Sequence, residues 1–231
     1  MQPSAMRLPF LVAALVAACA TYVEGQVENA LIEALPRVLG PADRYGATVE
    51  GPNSDASHFN RVHAVGVRVR RPVGPVLEQI EVDLQDVSVD RQNKRITRIG
   101  GAQATVRVKA SDLTAYLAQQ NWVSQPSVRL LPSGGVIVSG WFRVPGLDLA
   151  TGPAAEFRGR LVPDGSRLLV AVDSLRVGER DVPALWRGLL ATAVNPLIDL
   201  SAFAAPSRID RVSVQGDSLV LEASGSRCCL E

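Results

Sequence analysis

The feature that most constrains the fold is a long stretch in which apolar and polar residues alternate strictly. Within residues 78–90, the apolar side chains of Ile80, Val82 and Leu84 alternate with acidic and amide side chains. Successive side chains of a β-strand point to opposite faces, so the pattern predicts an antiparallel strand with one apolar face and one wet face. The apolar positions change phase at Asp86, which predicts a β-bulge that bends the strand.

This predicted strand has about 13 residues and would extend roughly 40 Å, about twice the length of a usual strand. Long, bulged strands curl, and a sheet of such strands leaves an elongated apolar trough that helices can cover. An acyl chain needs only about 15 Å, half the hydrocarbon thickness of a bilayer. A lipid-sized groove is therefore possible, although side chains could equally fill the trough. Further alternating strands are predicted at residues 65–70, 106–109, 127–131, 136–144, 156–162, 167–177, 209–214 and 218–223.

Three segments repeat their apolar residues at helical spacing instead. They cover residues 23–38, 111–117 and 182–197, and the last has the i, i+3, i+4, i+7 pattern of an amphipathic helix. Gly40-Pro41 ends the first segment, and Asn195-Pro196 ends or bends the third. Helices and antiparallel strands together predict an α+β fold.

The first residues are typical of an export signal, because an apolar core of h-region length follows Arg7. The core is shorter than the roughly 20 residues of a membrane-spanning helix. The motif Val-Ala-Ala-Cys ending at Cys19 resembles a lipobox, in which Cys19 would be the site of lipid attachment. Ordinary secretory cleavage after Ala20 and an uncleaved N-terminal anchor are the alternatives. Residues 1–20 are therefore expected to be a signal peptide or lipoprotein signal, and the protein to be exported to the periplasm or cell envelope.

Residues 21–224 are expected to form a single domain, followed by a disordered tail at residues 225–231. The tail contains Cys228 and Cys229, and a disulfide between adjacent cysteines is strained and adds little stability. The chain has 24 basic and 23 acidic residues. This near-neutral balance gives no indication of a nucleic-acid partner.

The residues that usually carry catalysis are sparse. The two histidines, His58 and His63, have no neighbouring ligand spacing typical of a zinc site, and no G-x-S-x-G nucleophile motif is present. The acidic residues are scattered singly on the predicted wet faces. The sequence therefore predicts a protein that is not an enzyme and has no cofactor, no catalytic residue and no bound metal.

The predicted trough has a candidate lining and a candidate mouth. Its lining is expected to be Val65, Val67, Val69, Ile80, Val82, Leu84, Val106 and Val108, faced by Leu185, Trp186 and Leu189 of the last helix. Basic residues that could contact lipid headgroups or a membrane are Arg68, Arg70, Arg71, Arg91, Lys94 and Arg95. Each such charge near anionic lipid contributes on the order of 1 kcal/mol. Alternatively, these cations lie on a solvated sheet face and are balanced by nearby acids. Trp122 belongs either to the core or to the mouth of a groove.

Two stretches carry a family resemblance. One runs from Gly101 through a strand into the helix Ser111-Asp-Leu-Thr-Ala-Tyr-Leu, and the other is Ile209-Asp-Arg-Val-Ser-Val-Gln-Gly-Asp-Ser-Leu-Val-Leu-Glu-Ala. With the element order, they resemble the LmeA family of bacterial envelope proteins, which is described as phospholipid-binding. The likeness extends roughly from Val27 to Ser224. It implies a fold similar to half of a tubular lipid-binding protein, with a long, highly curved antiparallel sheet wrapped around two amphipathic α-helices.

The strand pattern and the resemblance lead to one functional expectation and one rival. We expect a non-catalytic envelope protein that binds the acyl chains of a phospholipid or another acyl lipid in its apolar trough, beside a membrane surface. The rival is a structural or assembly factor of the cell envelope with a filled core, which binds another protein. The discriminating feature is whether apolar volume is left unfilled.

Overall fold

The computed structural model describes residues 28–29, 31–33, 35–37, 39–52, 57–90, 95–144, 147–148, 154–201 and 207–229. The strands are β1 (Arg44–Pro52), β2 (His58–Val69), β3 (Leu77–Asp90), β4 (Arg95–Lys109), β5 (Val123–Leu131), β6 (Gly135–Val144), β7 (Leu147–Asp148), β8 (Ala155–Asp164), β9 (Arg167–Val177), β10 (Arg180–Asp181), β11 (Ile198–Asp199), β12 (Ser207–Gln215) and β13 (Ser218–Cys229). The helices are α1 (Ala110–Leu117) and α2 (Ala184–Val194). An N-terminal helical segment comprises residues 28–29, 31–33, 35–37 and 39.

The strands form two antiparallel sheets. Sheet A has the order β1-β2-β3-β4-β13-β12, and sheet B has the order β10-β9-β8-β6-β5, with β11 paired to β9 and β7 paired to β6. The chain leaves sheet A where β4 runs directly into α1, and it returns to sheet A only with β12 and β13. Sheet B is therefore built from its own consecutive hairpins.

This architecture shows that the predicted fold class was wrong. The structure has two separate sheets and short helices, not one long, curved α+β sheet wrapped around two amphipathic helices. The physical reason is that α1 separates β4 from β5, so the sheet cannot continue from one to the other. The helices lie on sheet B, since α1 contacts β5 and α2 contacts β9.

The predicted long strand and its bulge are confirmed. β3 spans Leu77–Asp90 and pairs with β2 on one side and β4 on the other. Asp86 has a positive φ of 55°, and the register between β3 and β4 shifts just beyond it. A Cβ on the facing Gly100 would lie 2.5 Å from the Cβ of Asp86. The bulge therefore packs against a position that has room only for glycine.

One hydrophobic core joins the two sheets. It contains inward-facing residues of sheet A and sheet B together with Leu31, Leu35 and Leu39 of the N-terminal helical segment. β12 contacts β8 and β9, and the amide of Ile209 donates to the Gly165 carbonyl at 2.8 Å. At the other edge of β12, β13 continues to Cys229 opposite Arg98 of β4. Residues 225–229, predicted to begin a disordered tail, thus belong to sheet A.

Candidate functional site

A cleft lies where elements from both sheets come together. Its walls are the β2–β3 loop at residues 71–74, the end of α1 with the following turn at residues 116–122, and the segment from the end of α2 through residue 201. The cleft volume is about 470 Å³, within the roughly 300–1,000 Å³ that small-molecule sites occupy. Its apolar lining residues include Leu117, Trp122, Val194 and Leu197.

Aromatic packing fixes the wall formed by Trp122. Its ring stacks on Phe142 of β6 with the centroids 6.2 Å apart, and Phe142 in turn contacts Phe157 of β8 at 5.6 Å. Phe142 and Phe157 are fully buried. Because these rings belong to central strands of sheet B, the Trp122 wall is held by the rigid part of the fold.

The Asn195 side chain holds the opposite wall by forming hydrogen bonds to the β9 backbone that a neighbouring strand would otherwise form. The Asn195 side-chain oxygen accepts from the Val170 amide at 2.7 Å, and its side-chain nitrogen donates to the Val170 carbonyl at 3.0 Å. The Leu197 amide then donates to the Leu168 carbonyl at 2.9 Å. Asn195 thus satisfies β9 as a neighbouring strand would, and it fixes the chain after α2 against sheet B.

The charged groups of the cleft are mutually compensated. Arg71 donates to the backbone carbonyl of Asp199, and burial lowers the pKa of its guanidinium, an effect opposed by the Asp199 carboxylate. Hydrogen bonds from Ser201, together with Arg167, lower the pKa of Asp199. Burial raises the pKa of the Tyr116 phenol, so this hydroxyl stays neutral. The polar edge of the cleft therefore contains the ionised Asp199 carboxylate, which pairs with Arg167, and the neutral Tyr116 phenol.

The described residues offer no metal centre, since no group of three or more His, Cys, Asp or Glu side chains is placed to hold an ion. Within the same residues, every buried side-chain nitrogen and oxygen has a hydrogen-bond partner. The cleft therefore combines apolar side chains with polar groups that already have partners within the protein.

The predicted trough lining divides between the two faces of sheet A. Six residues point into the core and are at most 9 % exposed: Val69, Ile80, Val82, Leu84, Val106 and Val108. Val65 and Val67 lie on the opposite face, opposite Glu81 and Gln79 of β3. The prediction that all eight residues share one face of the sheet is therefore wrong for Val65 and Val67. The cause is the positive φ of 55° at Arg68, after which the odd-numbered residues of β2 face the core.

The predicted α2 residues are also divided. Leu185 is exposed, whereas Trp186 and Leu189 are partly buried and pack against the core. The side chains that α2 buries fully are Leu190 and Val194. Of the α2 residues predicted to face the trough, Leu185 therefore points to solvent, and Trp186 and Leu189 lie at the edge of the core.

Three of the six predicted basic residues, Arg68, Arg70 and Arg71, have hydrogen-bond partners within the protein. Arg68 bonds Asp112 at 2.8 Å, Arg70 bonds Asp43 at 2.5 Å, and only Arg71 of the described cations in that set lines the cleft. The backbone of Arg95 lies in β4 opposite Asp90. Arg91, Lys94 and Cys19 lie outside the described residues.

Tyr116 and Leu197 were not predicted as site residues, whereas Trp122 had been placed either in the core or at a groove mouth. The three cleft walls are far apart in the chain, with 42 residues from Gly74 to Tyr116 and 71 residues from Trp122 to Ala193. None of the three segments has a periodic signal that points to the others. The one indication of this site in the sequence is Trp122, because a tryptophan ring has an apolar body and a polar N–H group and is common at the edge of binding grooves.

An open cleft of this size, lined by apolar and polar side chains together, is typical of sites that bind small molecules with an apolar part. A family model described as LmeA-like phospholipid-binding matches residues 56–224, a range that contains all three walls of the cleft. The chain therefore belongs to the LmeA-like phospholipid-binding family, and the predicted resemblance is confirmed. This is a lipid-binding family and not a known family of enzymes.

No curated protein and no solved structure matches the chain. In the part of the chain that the structure describes, every helix is too short or too polar to cross a bilayer.

Proposed function

We propose that this protein binds one phospholipid without catalysis, with an acyl chain buried in the cleft between α1, α2 and the β2–β3 loop. The observation that carries the proposal is the unfilled apolar cleft within the region matched to the family. Each methylene that leaves water for such a site contributes about 0.8 kcal/mol. Binding is therefore passive, and its strength depends on how much of the chain the cleft covers.

The polar end of the ligand stays at the edge of the cleft. The Tyr116 hydroxyl is a neutral hydrogen-bonding group there. Gln120 and Ser201 are also neutral but already donate to the Tyr116 carbonyl and to Asp199, and Arg71 and Asp199 are likewise engaged. These groups suit the glycerol ester region of a lipid better than a bare anion. The trough lining expected from the sequence is a second possible location, but its six inward residues are packed in the core, so a ligand there would require sheet A to open.

The protein is proposed to work outside the cytoplasmic membrane, in the periplasm or cell envelope. The N-terminal sequence supports export. The signal would be processed either by lipid attachment at Cys19 or by cleavage after Ala20. Either route places a lipid-binding domain beside a membrane, where its ligand is abundant.

The test is to fill the cleft. Ala193 lines it, so Ala193→Phe should abolish bound phospholipid, measured by native mass spectrometry and organic extraction of the full chain purified in detergent. Ala184→Phe is the matched control, since Ala184 is exposed at the start of the same helix. Wild-type protein that carries no phospholipid, even after incubation with vesicles, would refute the proposal.

A second candidate is the envelope structural or assembly factor. The close-packed inner face of sheet A favours it, because this face leaves no trough between Ile80 and Val106. Wild-type protein that carries no phospholipid in the native mass spectrometry test would favour this function.

A further inference from the structure

Two of the three exposed large apolar side chains in the described residues belong to elements that form the cleft walls. Of the large hydrophobic residues in the described part of the chain, Val73 is 76 %, Leu185 is 72 % and Val162 is 39 % exposed, and the others are more buried. Val73 lines the cleft from the β2–β3 loop, and Leu185 belongs to α2, whose far end forms another cleft wall. Exposed apolar side chains next to a binding site mark an interaction surface.

A ridge of apolar side chains connects Leu185 to the cleft. Leu185, Leu189 and Ala193 are spaced by four residues, which places them above one another on successive turns of α2. The ridge is about 12 Å long at a rise of 1.5 Å per residue. It passes from exposed Leu185 through partly buried Leu189 to Ala193 in the cleft wall. An apolar path therefore leads from the protein surface into the site.

We propose that Val73, Leu185, Leu189 and Ala193 form a docking rim that inserts into the surface of a lipid bilayer. The rim lets a phospholipid move between bilayer and cleft without exposing its acyl chain to water. This proposal rests on the proposed function, because it supplies the route by which the ligand reaches the cleft.

The size of the rim favours a bilayer over a protein partner. A stable protein interface buries about 800 Å² on each partner and involves roughly 20–30 residues per side. The rim offers two well-exposed apolar side chains and a narrow ridge, too little for a stable dimer. Shallow insertion into a bilayer requires no complementary partner surface, and its strength scales with the apolar area that is buried. A rim of this size therefore suits weak, reversible docking.

The charges around the rim specify the kind of bilayer. Arg70 pairs with Asp43 at 2.5 Å, Arg71 donates to the Asp199 carbonyl, and Arg187 donates to the Asp173 carbonyl at 2.6 Å. Because these neighbouring cations already have partners, docking depends on apolar insertion. Zwitterionic phosphatidylcholine should support it as well as anionic lipid does, with little dependence on salt.

The test is hydroxyl-radical footprinting of the full chain reconstituted in phosphatidylcholine vesicles, with labelling rates corrected for the intrinsic reactivity of each residue. Val162 on β8 is the internal control, since it is exposed and does not line the cleft. In the free fold Val73 and Leu185 should label faster than Val162. Docking should reverse this order, with both rim residues labelled several-fold more slowly. Leu185→Asp should restore fast labelling of Val73, whereas Val162→Asp should leave Val73 protected.

The outcomes separate the alternatives. The docking rim is overturned if Val73 and Leu185 still label faster than Val162 in the presence of vesicles. It is also overturned if their protection rises with the protein-to-lipid ratio, because that dependence indicates contact with a second copy of the chain. A phosphatidylcholine with a photoreactive acyl chain in the same vesicles reports on the cleft through cross-links to Trp122. Protection of the rim without such cross-links supports the docking rim and refutes the proposed function.

Discussion

Arg68 of β2 forms a forked ion pair with Asp112 of α1, its Nη1 lying 2.8 Å from each carboxylate oxygen. Asp112 is one of the few polar residues buried in the described part of the chain, and the pair ties the end of sheet A to the helix that leads into sheet B. Arg68 itself has a positive φ of 55°. A local break in the strand thus coincides with the contact between the two halves of the fold.

Loss of this pair should destabilise the protein measurably. Arg68→Ala leaves the Asp112 carboxylate without its partner, which costs roughly 3–5 kcal/mol in a fully buried pair. Because the Arg68 side chain is 41 % exposed, water can replace part of the interaction, and we expect a loss of about 1–2 kcal/mol in the free energy of unfolding. Urea denaturation followed by circular dichroism measures it.

Two variants control this experiment. Arg160→Ala removes an equally well-formed but exposed pair with Asp173, at 3.0 Å, and should leave the unfolding midpoint unchanged. Adding Asp112→Asn to Arg68→Ala removes the unpaired charge and should recover part of the loss. Equal effects of Arg68→Ala and Arg160→Ala would contradict a special role of the Arg68 pair.

The bulge at Asp86 predicts a sharp contrast between two neighbouring glycines. A Cβ at Gly100 would lie 2.5 Å from the Asp86 Cβ, whereas a Cβ at Gly101 would meet its nearest neighbour at 3.8 Å. Gly100→Ala should therefore reduce the free energy of unfolding by about 1–3 kcal/mol through overpacking, and Gly101→Ala should have almost no effect. Thermal and urea unfolding of both variants, with the wild type, tests the contrast. Similar stability of the two variants would show that β3 can rearrange around the bulge.

The two positive-φ residues, Asp86 and Arg68, explain how far the sequence could predict the fold. At Asp86 the apolar positions themselves change phase, so the pattern revealed the bulge. At Arg68 the alternation from Val65 to Val69 continues without a break, and the positive φ coincides with a tertiary contact to Asp112, 44 residues away. Local pattern therefore could not separate Val69 from Val65. Strand pairing across sheets and the three walls of the cleft are likewise set by contacts between distant segments, which periodicity does not encode.

The buried Tyr45 should give the protein a distinctive alkaline transition. Burial raises the pKa of this phenol to about 12, and the hydroxyl donates to the Gly40 carbonyl at 2.5 Å. In the unfolded chain the phenol ionises near pH 10. The stability contributed by the neutral phenol is therefore fully present below about pH 10 and is lost as the pH rises towards about 12.

The measurement is the free energy of unfolding of wild type and Tyr45→Phe between pH 8 and 12. The wild type should lose more stability than Tyr45→Phe above about pH 10. The titration of the lysines and arginines affects both proteins equally and cancels in the difference between their free energies of unfolding. The difference should be modest because Tyr45 is only half-buried and water screens the ionised form. Parallel curves for the two proteins would mean that Tyr45 ionises in the folded state as easily as in the unfolded chain.

Asn195 should couple stability to the shape of the cleft. Its side chain makes two hydrogen bonds to the backbone of Val170, each contributing about 0.5–1.5 kcal/mol. Asn195→Ala should therefore lower the free energy of unfolding by about 1–3 kcal/mol and reduce the phospholipid retained by the full chain. Thr192→Ala, an exposed change one turn earlier in α2, should alter neither.

Asn195→Asp distinguishes hydrogen bonding from simple packing. The carboxylate has nearly the same shape and can still accept from the Val170 amide, but it cannot donate to the Val170 carbonyl 3.0 Å away. Repulsion between the two oxygens should raise the carboxyl pKa above its unfolded value of about 3.9. The variant should then be destabilised at neutral pH and recover towards wild type as the pH falls and the protonated carboxyl donates the missing bond. A destabilisation independent of pH would instead attribute the role of Asn195 to packing against β9.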